Sequence, residues 1–130
     1  MPALEPVVAW RVVASPAAVD EARWQGGSVD VIRIAPDEAL GLSATAVEVA
    51  DPDAIVEPDA GFSRATLTAR ELGHVIGHIE WEVPDAGAAA ERILVQGKVA
   101  GVPAKLLIGD PTVLVVQTCY VDDLRSRLGW

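Results

Sequence analysis

The stretch Ile93-Leu-Val-Gln-Gly-Lys-Val99, with Pro103-Ala-Lys-Leu-Leu-Ile108 and Thr112-Val-Leu-Val-Val-Gln117 after it, decides the fold. These are short apolar runs rich in branched residues, too brief for helices and bounded by turn formers. Gly101 separates the first two, and Gly109-Asp110-Pro111 separates the second from the third. The spacing predicts strands at 93–99, 103–108 and 112–117. Beyond them, Thr118 is placed to cap a final helix with Asp122 and Asp123 in its first turn and Arg125 and Arg127 in its last. That charge order suits the helix dipole. Before them, residues 62–67 predict a strand, and Thr68-Ala-Arg-Glu71 is a capping box. The helix it opens places Leu72, Val75, Ile76 and Ile79 on one face and must end before Pro84. Residues 85–91, rich in Ala and Gly, read as a loop or a weak helical turn.

Toward the N-terminus the pattern is similar. Residues 7–13 form an apolar run of strand length, broken by Arg11. Ser15-Pro16 reads as the cap and first residue of a helix over 16–24, ended by Gly26-Gly27. Residues 29–33 alternate, 35–38 supply a Pro-containing turn, and 39–42 return as the partner strand. Residues 46–49 predict a further strand. From 51 to 61 the chain has two prolines, four acids and no base, which predicts an irregular loop. Strands outnumber helices and do not alternate with them regularly. The expectation is a single α+β domain over residues 1–130, with a largely antiparallel sheet and about three short helices.

Composition narrows the function classes. The 130 residues are 51% hydrophobic, with nineteen valines against one phenylalanine, so an aliphatic, sheet-rich core is expected. Nineteen acids against ten bases give a net charge of −9, which argues against nucleic acid and anionic membranes as partners. No apolar run approaches the roughly 18 residues that cross a bilayer. The first residues carry no basic, apolar leader pattern. Cys119 is the only cysteine, which excludes an internal disulfide and a cysteine-rich zinc site. The expected location is the cytoplasm, and eight arginines among ten bases suggest a GC-rich bacterial genome.

The sharpest chemical pattern is Glu71, His74, His78 and Glu82, whose spacings of three, four and four would align four metal-ligating side chains on a helix. No Glu follows His74, so the zinc-protease arrangement is absent, and Gly73 and Gly77 weaken the helix. The same stripe is what a solvated helix face leaves once the apolar residues are buried. Asp51, Asp53, Glu57 and Asp59 lack the glycine and the closing Glu of a calcium loop, and read as a solvated acidic loop. Cys119, at a strand-to-helix junction, has no His within forty residues and reads as a buried or half-buried structural thiol. Ser43 and Ser63 lie in no nucleophile elbow, and the glycines at 97, 101 and 109 mark turns. No catalytic residue, metal or cofactor is assigned from these patterns.

Three stretches carry a family likeness: Val31-Ile-Arg-Ile-Ala-Pro-Asp-Glu-Ala-Leu40; Arg64-Ala-Thr-Leu-Thr68 running into the capped helix, then Glu80-Trp-Glu-Val-Pro84; and Gly97-Lys-Val-Ala-Gly-Val-Pro103 with Tyr120-Val-Asp-Asp-Leu124. Their order is similar to the gamma subunit of heterotetrameric sarcosine oxidase. More broadly it resembles the folate-binding domain of the glycine-cleavage aminomethyltransferase superfamily. The resemblance spans residues 29–130; the first 25 residues and the 51–61 segment have no counterpart in it. It implies ferredoxin-like βαβ elements and a small accessory chain without its own flavin. The resulting expectation is a non-catalytic accessory or interaction domain, self-associating or a subunit of a larger enzyme, with Trp10, Trp81 and Trp130 marking its interface. The alternative is a folate- or one-carbon-binding enzyme with a pocket edged by Arg33, Arg64, His74 and His78. A third reading is a metal-dependent activity at Glu71, His74 and His78.

Overall fold

The computed structural model describes residues 2–80, 82–83 and 91–130. Trp81, Pro84 and all but the last residue of the 85–91 segment lie outside the described residues, so the readings placed on them are not compared. The described residues form an α+β chain with a mostly antiparallel sheet and, among them, three α-helices, as the strand-dominated pattern predicts. It gathers into two compact units, one comprising Val7–Ala60 and the other the residues up to Pro6 with Gly61–Trp130.

In the first unit, β1 (Glu5–Val13) pairs antiparallel with β4 (Glu38–Leu42), and β4 pairs antiparallel with β3 (Asp30–Ala35). The Pro36-Asp37 turn therefore closes the expected hairpin. A register shift between Arg33 and Ala35 marks a bulge beside that turn. Ser15 caps α1 (Pro16–Asp20), its hydroxyl accepting from the Ala18 amide at 3.3 Å. This helix stops four residues short of the expected Trp24, because Trp24 belongs to β2 (Arg23–Gln25), which pairs with β5 (Ala46–Glu48). The reason lies across the sheet. The Trp24 ring fills the space above Gly41, where an added Cβ would stand 2.3 Å from Cε3. Val12, Val19 and Ala39 form a small core that Trp24, Val47 and Val49 pack against.

The irregular loop expected over 51–61 is corrected: only its first part turns, and β6 (Ile55–Leu67) begins at Ile55. Asp51 makes the turn, accepting from the amides of Ser15 and Asp53 at 2.9 Å each. Residues 55–58, Pro58 among them, are exposed, and proline is tolerated in a strand where its missing N–H serves no ladder.

In the second unit the strand order is β6, β9 (Thr112–Gln117), β8 (Val102–Ile108), β7 (Ile93–Val99), with every ladder antiparallel. The boundaries of β7 and β9 match the sequence expectation. One sheet face presents Ala65, Leu106, Leu114 and Val116 to Val75 of α2 (Ala69–Ile76) and to Val121, Leu124 and Leu128 of α3 (Val121–Leu128). Leu72 and Ile79 join this core, but Ile76 is exposed. One residue past Val75 is a rotation of about 100°, outside the narrow stripe that two helical turns bury. The expected acids and bases stand in the first and last turns of α3, and Gly129 ends it in the left-handed region at φ 74°. Thr118 is no cap for α3: it opens a 3₁₀ turn, Thr118–Tyr120, and its hydroxyl lies 2.9 Å from that of buried Ser63. Among the described residues no helix is long and apolar enough to cross a membrane.

Candidate functional site

The histidine stripe is the natural place to begin. The capping box is formed in full: Thr68 Oγ1 accepts from the Glu71 amide at 3.1 Å, and Glu71 Oε1 accepts from the Thr68 amide at 2.9 Å. That backbone donor holds the Glu71 carboxyl below its ordinary value. Three residues on, His74 Nε2 stands 2.7 Å from the Leu128 carbonyl oxygen. A carbonyl only accepts, so this nitrogen carries the proton. His78 Nδ1 stands 2.9 Å from the His74 carbonyl oxygen and is protonated for the same reason. The two rings meet edge to face at 4.9 Å, and the Trp130 ring lies 5.9 Å from His74. Gly129 permits that last contact, since its left-handed turn lets the Trp130 amide reach back to the Arg125 carbonyl at 2.9 Å.

The intended four-residue stripe does not assemble. Helix α2 ends at Ile76 with Gly77 as its cap, so His78 and Glu82 lie past its end. Glu71 is committed to the capping box, and both histidines to backbone carbonyls. Among the described residues no three His, Cys, Asp or Glu side chains converge as a metal site. The histidines border two open recesses instead. One, of about 560 Å³, is lined by Arg70, Glu71, His74 and Trp130; the other, of about 410 Å³, by His78, Glu80, Gln96 and Lys98.

The remaining candidates are dispersed. Arg33 belongs to the first unit and is spent there as a clamp: it donates to Asp20 at 2.6 Å, to the Pro16 carbonyl at 3.2 Å and to the Ala35 carbonyl at 3.1 Å. Arg64, His74 and His78 belong to the other unit. In the acidic segment, Glu57 bridges Arg11 at 2.9 Å, and the backbone amide of Ser15 holds the Asp51 carboxyl below its ordinary value. Cys119 is exposed, not buried, because the 3₁₀ turn carries it outward before α3 begins.

Sequence reasoning missed a surface in the first unit. Trp10, Gly41 and Val31 are successive cross-strand partners, so their side-chain positions share one face, on which the Trp24 ring lies over Gly41 between the other two. Val8, two residues before Trp10, shares it. Arg11 reaches both Glu38 and Glu57 on the opposite face, which places Val56, next to Glu57, on the Trp10 face. Val8 is 56% exposed, Val31 40% and Val56 39%, while Trp10 is half-buried. The signal in the sequence was the apolar residue at every other position of the 8–12 run, Val8, Trp10 and Val12, hidden by valine at 7 and 13 as well. No protein-family model and no curated protein matches the chain.

Proposed function

We propose that the chain is an accessory or interaction module, not a catalyst, that associates with a second copy of itself through the Val8, Trp10, Val31 and Val56 face. One observation carries the reading: three large apolar side chains stand exposed beside a half-buried tryptophan on one sheet face. Aligned exposed apolar residues favour protein contact, and an apolar face is self-complementary under two-fold symmetry. The likeness to the sarcosine oxidase gamma chain belongs to the same proposal, since that family consists of small accessory chains. The test mixes tagged and untagged chain and purifies by the tag. Untagged chain co-purifies in the proposed module, and Val8→Glu with Val31→Glu abolishes it. Failure of wild-type chain to co-purify at tens of micromolar overturns the reading.

A further inference from the structure

One recess of the second unit sets polar groups of both kinds around an aromatic wall. It has about 560 Å³ and lies between the start of α2, which supplies Arg70, Glu71 and His74, and the Trp130 ring. Its walls are fixed from behind. Trp130 is half-buried and packs on the core, with its ring 5.9 Å from the His74 ring and tilted by 32°. The His74 ring is turned by its bond to the Leu128 carbonyl, and Glu71 by the capping box. Groups already held in place bind a ligand without the cost of ordering them.

These fixing bonds use only part of each group. With Nε2 donating to Leu128, Nδ1 of the His74 ring is left as an acceptor. The Glu71 carboxylate accepts from the Thr68 amide, and a carboxylate has room for further donors. Trp130 contributes an indole N–H, which donates only. Arg70 is exposed, and among the described residues neither its guanidinium nor the Trp130 indole N–H has a hydrogen-bond partner. The recess thus offers a cation and an N–H donor, two acceptors and the apolar surface of an indole. Its match is a molecule with an anionic group, hydroxyls that donate, and a surface of C–H groups. Glu71 follows Arg70 directly, so a dianion would meet a carboxylate beside the guanidinium, whereas a monoanion meets less repulsion. Sugar carboxylates combine these properties.

We propose that this recess binds a sugar carboxylate, its anionic group on Arg70 and the Trp130 N–H and its hydroxyls on His74 Nδ1 and Glu71. The site lies within the second unit and is independent of self-association through the first. The test is isothermal titration calorimetry with glucuronate as the probe, against acetate, glucose and glucose-6-phosphate at equal ionic strength. Glucuronate should bind saturably and more tightly than the other three. Arg70→Gln, at an exposed position, should weaken it about tenfold or more, as loss of a charge-assisted hydrogen bond requires. Trp130→Phe, which keeps a ring and every charge but removes the N–H, should weaken it too. No saturable heat with glucuronate, acetate or glucose binding as tightly, or an affinity unchanged in both variants overturns the site. Tighter binding of glucose-6-phosphate than of glucuronate, lost in Arg70→Gln, overturns its assignment to a carboxylate.

Discussion

Thr68 and Glu71 show how much one residue pair decides. A helix of eight residues cannot sustain itself in water, so its start depends on the reciprocal bonds of the capping box. Thr68→Ala should cost about 1 kcal/mol, read as a lowered urea midpoint at unchanged slope. Glu71 adds a pH dependence with a defined sign. Its folded carboxyl titrates below its unfolded value, so its stabilisation is complete above the ordinary carboxylate range and lost as pH falls through the lowered value. Glu71→Gln should therefore destabilise the protein at pH 7 and narrow the gap from wild type below pH 4, measured by urea unfolding across that range. Asp51 carries the same sign through the Ser15 amide. The buried Ser63 hydroxyl has the exposed Thr118 hydroxyl as its partner; Ser63→Ala frees Thr118 to turn to water and should cost only about 1 kcal/mol in the same assay.

Among the elements, the turns and the strand faces of unequal polarity separate what was legible from what was not. The β7–β8 hairpin was legible because Gly101 marks it, and the structure shows Ala100 at φ 49° beside Gly101 at φ 82°. Both central residues at positive φ suit a two-residue hairpin, but Ala resists that region by about 1 kcal/mol. Ala100→Gly should raise the melting temperature by a few degrees, while Gly101→Ala should lower it, its Cβ also standing 2.8 Å from Arg127 Nη1. Helix α1 was overextended because nothing local to Trp24 reveals that Gly41, seventeen residues on, leaves room for its ring. Gly41→Ala tests that account: the displaced ring should cost about 1–3 kcal/mol and alter tryptophan fluorescence. The start of β6 was read as loop for a related reason. Pro58 and the acids around it describe an exposed strand as well as they describe a loop, and only the pairing partner distinguishes them.

For the whole molecule, the histidine pattern was visible in the sequence but its meaning was not, since the three- and four-residue spacing implies one face only while the helix lasts. The structure ends α2 at Ile76 and gives each histidine a carbonyl partner. The apolar face was invisible for the opposite reason: Val8, Trp10, Val31 and Val56 are scattered over 49 positions and meet only through strand register. That face is the basis of the account, because exposed apolar groups of this size gain roughly 25 cal/mol for each Å² that a partner covers. The direct measurement is gel filtration coupled to light scattering over a hundredfold range of concentration. The account predicts a mass of two or more chains that dissociates on dilution, and a single chain throughout for Val8→Glu with Val31→Glu. A wild-type protein that remains a single chain at every concentration would contradict it.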